Sequence, residues 1–276
     1  MAKNVICFHS GCSDGFGAAW ASWLKFKESA VYIPCSYASP PPRFNGDTEN
    51  IYIFDFSFDK SLILEWKKLY NVELWDHHIS AKEKLEGVPG CHFDMTHSGA
   101  FLAFKRFFPN SDLPTLIEYV QDRDLFTNSL YRTEEITLLL NSYPQDFQTW
   151  TGLSIDFAIK GIDALADQGA HIKRYVTAQI ANTMKESKVR KLNIAGYVVP
   201  VINTQMWQSE IANALCTEYN SPFAACYFDR ADGKRQWSLR SVSDFSVAKI
   251  AEKFGGGGHP RAAGMETDIQ EKDING

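Results

Sequence analysis

The first half of the chain alternates short apolar runs with stretches whose apolar side chains recur at helical spacing. Four apolar runs have the length of buried strands, at residues 5–8, 31–34, 51–54 and 72–75. From Phe16 to Leu24, apolar side chains recur every three or four residues, which predicts a helix that starts at Gly15 with Ser13 or Asp14 as its cap. Alternating strands and helices predict a mostly parallel, doubly wound α/β sheet with helices on both faces.

The second half of the chain continues with helices and then returns to strands. Helical spacing predicts helices from Ser98 and over residues 113–120, and one long helix between residues 154 and 187 in which Gly161 and Gly169 are weak points. Strands are predicted at residues 192–203, 223–228 and 237–242, and a helix at 246–254. We therefore predict three parts: a first domain at residues 1–150, a linker helix at 151–188 and a smaller α/β domain at 189–276.

Composition narrows the range of functions more than it identifies one. With 276 residues, of which 45% are hydrophobic, the chain can bury one large core or two modest ones. Its formal net charge of −5 argues against a protein that holds long duplex nucleic acid on a broad basic surface, because that mode depends on many contacts from Lys and Arg to phosphate. Short or small anionic substrates remain compatible with this charge.

Two further features predict a soluble, cytoplasmic protein without membrane contact. The six cysteines are scattered, without a pair separated by two residues, which fits a reducing compartment. No apolar run approaches the roughly 20 residues that a membrane-spanning helix needs, and the N-terminus leads directly into the first strand instead of a signal peptide. The sequence leaves open whether the protein is a monomer or a homodimer.

Acidic and imidazole side chains follow several of the predicted elements. They are His9, Asp14, Asp55, the run Asp76-His77-His78, and Asp122 and Asp124 beyond a helix predicted to end near Val120. In a doubly wound sheet, the carboxyl ends of the strands face a common crevice. Each residue alone could be a helix cap, a strand exit or a solvated acid, but their convergence predicts a metal site. Such ligands suit Mn²⁺, with Mg²⁺, Fe²⁺ or Co²⁺ as alternatives, and zinc with cysteine ligands fits less well because no paired cysteine spacing exists.

A second candidate site lies near the C-terminus, where four glycines at residues 255–258 precede His259 and Arg261. Such a run offers backbone N–H groups without side-chain obstruction, and arginine can bind phosphate through two parallel hydrogen bonds. A flexible surface turn is the alternative. The run is not a Walker-type loop, because no Gly-Lys-Ser or Gly-Lys-Thr ends it. Arg240, at the end of a predicted strand, is a further candidate contact with substrate.

Five groups of residues occur in order along nearly the whole chain. They are His9-Ser10-Gly11-Cys12-Ser13-Asp14-Gly15, Asp55, Asp76-His77-His78, Gln121-Asp122-Arg123-Asp124 and Gly256-Gly257-Gly258-His259-Pro260-Arg261-Ala262-Ala263-Gly264. Together they resemble the ordered motifs of the DHH phosphoesterase family with its DHHA1 companion domain. The resemblance implies a Mn²⁺-dependent phosphoesterase in which a DHH domain and a DHHA1 domain face a cleft.

The resemblance also implies a role for each matching residue. Five residues would be metal ligands: His9, Asp14, Asp55, His77 and Asp122. Asp124 would replace Asp122 should that side chain point away. Asp76 would orient an imidazole, and His78 would face the substrate phosphate. The C-terminal motif would contact substrate through Gly256, Gly257, Gly258, His259 and Arg261.

One position departs from the family pattern. The first motif commonly carries two aspartates spaced two apart, and Cys12 stands where the earlier one would be. A thiol is softer than a carboxylate and is a poor ligand for Mn²⁺. The expected number of ions is therefore one or two.

The predicted function is hydrolysis of short oligonucleotides or linear dinucleotides, like an oligoribonuclease, by a water molecule that the metal activates. The acidic chain and the compact second domain favour these substrates over long single strands. Cyclic mono- or dinucleotides and bisphosphorylated nucleotides are alternatives. A catalytically silent nucleotide sensor is an alternative from another class, although the set of metal-type residues argues against it.

Overall fold

The four apolar runs of the first half form neighbouring strands of one sheet in the computed structural model, which describes residues 3–36 and 39–269. The strands are β1 (Asn4–His9), β2 (Ala30–Cys35), β3 (Asn50–Phe54), β4 (Asn71–Asp76) and β5 (Cys91–Phe93), in the order β2-β1-β3-β4-β5. All neighbouring pairs of this sheet are parallel. The chain runs outward in opposite directions from β1 and β3, which confirms the predicted doubly wound α/β sheet.

Helices cover both faces of this sheet. Alternate residues of each strand point to opposite sides, and apolar side chains on both sides are buried against helices. The helices that start in this unit are α1 (Ser13–Phe26), α2 (Lys60–Trp66), α3 (Ile79–Leu85), α4 (Gly99–Phe107), α5 (Thr115–Asp124), α6 (Thr133–Asn141) and α7 (Phe147–Glu186). Ile6 of β1 belongs to a core with Trp20 of α1, whereas Cys7 belongs to a second core with Trp66 of α2. The sheet and its helices form a first compact unit, Met1–Arg174.

The predicted linker helix is α7, which starts before the predicted position. Gly161 interrupts it with a backbone φ of 79°, a left-handed conformation that glycine adopts without steric cost. Gly169 is a glycine for another reason, since a Cβ atom there would lie 2.0 Å from the carbonyl oxygen of Glu135 in α6. The division between the two compact units falls inside α7, after Arg174. The division into three parts stays a prediction.

The second unit, Tyr175–Gly276, contains a six-stranded mixed sheet. Its strands are β6 (Arg190–Ile194), β7 (Tyr197–Asn203), β8 (Ala224–Asp229), β9 (Lys234–Arg240), β10 (Gly257–His259) and β11 (Ala262–Asp268), in the order β10-β11-β9-β8-β7-β6. The β7–β8 pair is parallel and the other pairs are antiparallel. With the helices α8 (Gln208–Glu218) and α9 (Ala248–Glu252), the unit has the predicted α/β character.

Two features of the second unit differ from the prediction. The strand predicted at residues 192–203 is an antiparallel pair, because Ala195 and Gly196 both have positive φ and turn the chain between β6 and β7. The glycine run is not a loop throughout, since β10 includes Gly257 and Gly258 and pairs with β11. None of the described helices combines the length and the apolar character that crossing a lipid bilayer requires.

We expect Gly169→Ala to destabilise the protein, although alanine favours helices. The added methyl group would meet the backbone of α6, so overpacking should lower the free energy of unfolding by about 1–3 kcal/mol. Gly152→Ala, in the part of α7 that precedes the interruption at Gly161, is the control, since its methyl group meets open space and should raise that free energy by up to about 1 kcal/mol. Denaturant unfolding of both variants measures the difference, and equal stabilities would contradict the described contact between α6 and α7.

Candidate metal centre

Three carboxylates surround one imidazole nitrogen at the carboxyl ends of β3 and β4. Nε2 of His77 lies close to three carboxylate oxygens: 3.1 Å from Oδ1 of Asp55, 3.5 Å from Oδ2 of Asp124 and 3.6 Å from Oδ2 of Asp14. Asp55 and His77 follow their strands directly, whereas Asp14 lies in the first turn of α1 and Asp124 ends α5. We name these four residues the His77 cluster.

A second group of ligand-type atoms shares Asp55. Sγ of Cys12 lies 3.4 Å from Nδ1 of His9 and 3.4 Å from Oδ2 of Asp55, and the His9 nitrogen is 3.7 Å from the same oxygen. We name these three residues the Cys12 cluster. The two oxygens of Asp55 therefore face different clusters. One carboxylate placed between two groups of ligands has the position from which it can bridge two neighbouring ions.

The sheet topology explains why these side chains meet. β1 and β3 are neighbours on either side of the point where the strand order reverses, which is where doubly wound sheets bind ligands. Asp55 has a φ of 54°, in the left-handed region that Asp tolerates better than most residues. Its N–H donates to the carbonyl of Trp75 at 3.1 Å, so the turn after β3 is tied to β4.

Asp14 is held by the N-terminus of α4. Its Oδ2 accepts a hydrogen bond from the N–H of Gly99 at 2.6 Å, and its Oδ1 accepts one from the N–H of Ala100 at 2.9 Å. A helix N-terminus stabilises negative charge, which lowers the cost of burying this carboxylate. Two glycines make the close packing possible: a Cβ atom at Gly99 would lie 2.4 Å from Cβ of Asp55, and one at Gly15 would lie 2.1 Å from the carbonyl oxygen of His9.

The cap of α1 is Cys12, and the prediction of Ser13 or Asp14 is wrong. Sγ of Cys12 accepts a hydrogen bond from the N–H of Gly15 at 3.2 Å. Ser13 already lies inside the helix, and its hydroxyl donates to Oδ1 of Asn141 at 2.9 Å. A thiol at a helix N-terminus is less favoured as a cap than an oxygen, so the capping preference of Ser and Asp placed the predicted helix start at Gly15, two residues after the observed start at Ser13.

Asp76 positions His78 more directly than it positions His77. Its Oδ1 lies 2.7 Å from Nδ1 of the His78 ring and accepts the main-chain N–H of His77 at 2.7 Å. The bond to the ring fixes the orientation of the His78 imidazole, whose centroid is 4.7 Å from that of His77. Asp76 therefore holds the imidazole of His78 through its side chain and contacts His77 only at the main chain.

Asp122 does not join either cluster, and its assignment as a ligand needs correction. Its carboxylate accepts hydrogen bonds from five groups between the end of α5 and the first residue of α6: the hydroxyls of Thr127, Ser129 and Thr133 and the N–H groups of Ser129 and Leu130. The helix α5 continues to Asp124 instead of ending near Val120, and residues two apart on a helix point in nearly opposite directions. Asp124, and not Asp122, is therefore the aspartate of α5 that belongs to the His77 cluster.

The carboxylates and the imidazole of the His77 cluster lie close enough to shift one another's pKa. Burial and the nearby Asp55 carboxylate raise the pKa of Asp14 to about 6, and burial with the charges of Asp14 and Asp55 raises the pKa of Asp124 well above its usual value. Burial opposes the imidazolium of His77, but the hydrogen bond with Asp55 and the surrounding carboxylates raise its pKa to about 10. Oδ2 of Asp124 is buried without a hydrogen-bond partner among the described residues. The three carboxylates of the site can carry more negative charge than the single imidazolium of His77 offsets, and a divalent cation would supply the remaining positive charge.

A cavity of about 500 Å³ adjoins the Cys12 cluster. It is lined by the loop before α1, through Gly11 and Cys12, and by the end of α6 and the segment after it, including Asn141 and Tyr143. The ring of Tyr143 is partly exposed. This space offers room for a small ligand beside the cluster.

The predicted substrate contacts of the second unit lie on β9 and around the β10–β11 turn. Arg261 is exposed, with Nη2 3.5 Å from Oδ1 of Asp244. The guanidinium of Arg240 donates to Oγ of Ser209 at 2.7 Å and to the carbonyl of Leu239 at 2.8 Å. These bonds give Arg240 a structural contact with α8, so its assignment to substrate has less support than that of Arg261.

Comparison with known proteins identifies this second unit. Residues 193–274 match the family model described as "DHHA1 domain". The second unit is therefore similar to a DHHA1 domain. This confirms the resemblance to the DHH/DHHA1 phosphoesterase family that the ordered motifs indicate.

Similar proteins extend over the whole chain. "Uncharacterized protein R106" of Acanthamoeba polyphaga mimivirus is 29% identical over 95% of this chain and 67% of its own length. Among solved structures, an exopolyphosphatase-related protein from Bacteroides fragilis covers 99% of this chain and 89% of its own, with a TM-score of 0.51 and 15% identity. The pGpG-specific phosphodiesterase PggH of Vibrio cholerae covers 99% and 95%, with a TM-score of 0.47 and 14% identity. The Bacteroides structure supports the fold.

The glycine run of the DHHA1 domain separates into two kinds of position. A Cβ atom at Gly256 would lie 2.1 Å from the carbonyl oxygen of Gly264, and one at Gly258 would lie 2.5 Å from that of Ala262. Both glycines are therefore required by close packing on β11. A Cβ atom at Gly257 would meet open space, so packing inside the domain does not explain this glycine.

Two substitutions distinguish the roles of the neighbouring aspartates. We expect Asp122→Asn to lower the free energy of unfolding by about 1–3 kcal/mol, because the amide nitrogen cannot accept the hydrogen bonds that the carboxylate accepts. Asp124→Asn should leave the stability of the metal-free protein unchanged or higher, since it removes one of three crowded charges, and should abolish most of the stabilisation that saturating Mn²⁺ gives. Thermal unfolding with and without Mn²⁺ measures both effects, and the reverse pattern would restore Asp122 as the ligand.

Proposed function

We propose that the protein is a metal-dependent phosphodiesterase that hydrolyses short oligonucleotides or linear dinucleotides. The observation that carries the proposal is the position of Asp55, whose two carboxylate oxygens face two separate groups of metal-type ligands. The DHHA1 domain and the ordered DHH motifs support a phosphoester hydrolase. The substrate and the preferred ion are the parts that the experiments below test.

The residues of the His77 cluster fit a hard divalent ion. Three carboxylates and one imidazole are the ligand types that Mn²⁺ accepts, and Mg²⁺ or Co²⁺ are the nearest alternatives. The buried Oδ2 of Asp124 supports this fit, because it accepts no hydrogen bond among the described residues and has only the longer contact with His77 to offset its charge. A bound divalent ion would lower the pKa of water and neutralise charge on the phosphate.

His78 is the residue that we assign to the phosphate. Burial opposes its imidazolium, but the hydrogen bond with Asp76 and the charges of Asp76 and Asp55 raise its pKa to about 9, so the ring is a proton donor at neutral pH. With Nδ1 directed at Asp76, the ring would donate from Nε2 to a phosphate oxygen or to the leaving group. Asp76 acts as a positioning residue that holds this orientation.

The size and charge of the site favour small substrates. The cavity beside Cys12 is about 500 Å³, which suits one or two nucleotides more than a long strand. Tyr143 in its wall could stack on a base, since base stacking on aromatic rings is worth about 1–3 kcal/mol. The net charge of −5 gives no extended basic track for long nucleic acid.

A panel of substrates tests the function. We expect purified protein with Mn²⁺ to hydrolyse a diribonucleotide and a five-residue RNA faster than cyclic AMP, a cyclic dinucleotide or an adenosine bisphosphate. His77→Ala should lose at least about a hundredfold in kcat/KM, because it removes the central nitrogen of the cluster. His171→Ala, a histidine exposed on α7, is the matched control and should retain wild-type rates.

The role of His78 needs a separate variant in the same assay. His78→Gln should keep the stabilisation by Mn²⁺ and lose turnover, whereas wild-type turnover would contradict its assignment. Faster hydrolysis of a cyclic substrate would move the proposal to that class. Nucleotide binding without hydrolysis of any panel member would replace the enzyme with a sensor.

The glycine run gives a test of substrate binding by the DHHA1 domain. We expect Gly257→Ala to raise KM for the diribonucleotide by about tenfold without lowering the melting temperature, because the methyl group is sterically permitted in the folded domain and would obstruct a ligand that approaches the backbone. Gly46→Ala, whose methyl group also meets open space, is the control and should change neither quantity. An unchanged KM for Gly257→Ala would exclude this position from the substrate contacts.

A further inference from the structure

We propose that the Cys12 cluster binds a thiophilic divalent ion, with zinc as the best match, while the His77 cluster binds Mn²⁺ or Mg²⁺. The centre would then contain two different metals that share Asp55. This inference rests on the proposed function, because it specifies the metal chemistry of the same site. It also revises the expectation that zinc fits this chain poorly, because that expectation was based only on the absence of paired cysteines.

The distances within the Cys12 cluster fall within the range of ligand separations in a tetrahedral zinc site. Zinc binds sulfur at about 2.3 Å and nitrogen or oxygen at about 2.0–2.2 Å, so ligand atoms at tetrahedral angles lie about 3.3–3.7 Å from one another. The Cys12–His9, Cys12–Asp55 and His9–Asp55 distances are 3.4, 3.4 and 3.7 Å. Three protein ligands with a fourth position for water or substrate are the pattern of catalytic zinc.

The two clusters differ in the hardness of their ligand atoms. The Cys12 cluster offers one sulfur, one nitrogen and one oxygen, whereas the His77 cluster offers one nitrogen and three carboxylates. Thiolate favours zinc over manganese or magnesium, and a carboxylate-rich set favours the harder ions. The difference comes from a single position, since every other member of both clusters is an imidazole or a carboxylate.

The local structure around Cys12 places its sulfur for this role. The thiol sits at the N-terminus of the 14-residue helix α1, where the N–H of Gly15 points at Sγ from 3.2 Å. Burial and the carboxylates of Asp55 and Asp14 raise the pKa of the Cys12 thiol in the metal-free protein, so the thiolate would form as the ion binds and releases the proton. Among the described residues, the groups suited to holding a metal include Cys12 and none of the other five cysteines.

Cobalt spectroscopy tests the ligand directly and without reference to catalysis. Metal-free protein titrated with Co²⁺ should develop a thiolate-to-cobalt charge-transfer band in the near ultraviolet and the intense visible bands of tetrahedral cobalt. Cys12→Ser should remove the charge-transfer band, whereas Cys91→Ser, which changes a half-buried thiol outside both clusters, should retain it. Absence of the band in the wild type, or its persistence in Cys12→Ser, would overturn the inference.

Metal retention gives the second measurement. Because zinc binds most sites more tightly than manganese, the protein is first loaded with zinc and then dialysed against a large excess of Mn²⁺. We expect one zinc and one manganese per chain in the wild type, and a zinc content at least about tenfold lower in Cys12→Ser and Cys12→Asp. Equal retention in wild type and variants would overturn the inference.

The substrate panel separates this inference from the proposed function. A wild-type protein that shows the charge-transfer band and retains one zinc, but hydrolyses no panel member, would overturn the phosphodiesterase and leave the metal assignment supported. A protein that hydrolyses the diribonucleotide with two manganese ions and shows no charge-transfer band would support the function and overturn the zinc assignment.

Discussion

Crowding of negative charge is the constraint on which the first unit depends. Three carboxylates lie within 3.6 Å of one imidazole nitrogen. Asp14 and Asp55 are buried, so water does not screen their charges. The protein offsets part of this cost with the N-terminus of α4 and with His77 itself. The remaining negative charge is the physical reason for a cation. The sheet order, the left-handed turn at Asp55 and the approach of α4 all keep the repelling groups together.

Much of this arrangement follows from the sequence alone. Short continuous apolar runs locate the four neighbouring strands, and the residues that follow parallel strands lie at one edge of the sheet, so His9, Asp55 and His77 were predicted to meet. The pattern of strands does not predict whether Asp122 or Asp124 joins the His77 cluster. That choice depends on where α5 ends, and helix ends are weakly encoded when no glycine or proline follows the last turn.

The sequence was less informative wherever long-range packing decides. β10 and β11 pair because glycines permit the two backbones to approach, and a run of glycines carries no apolar alternation that would predict a strand. The capping role of Cys12 was missed for a similar reason, since a thiol is an uncommon cap. The family resemblance was recoverable because it rests on the order of motifs, which does not require knowledge of contacts.

Gly15 and Gly99 carry no functional group, yet their missing side chains determine whether the ligands can approach one another. In a survey of random substitutions that scores activity, these two positions would tolerate change as poorly as the ligands themselves. Asp124 would tolerate asparagine in any screen that scores only folding. The positions that do not tolerate substitution therefore include the glycines that let the ligands approach, as well as the ligands themselves. A residue with no functional group can be among the least replaceable.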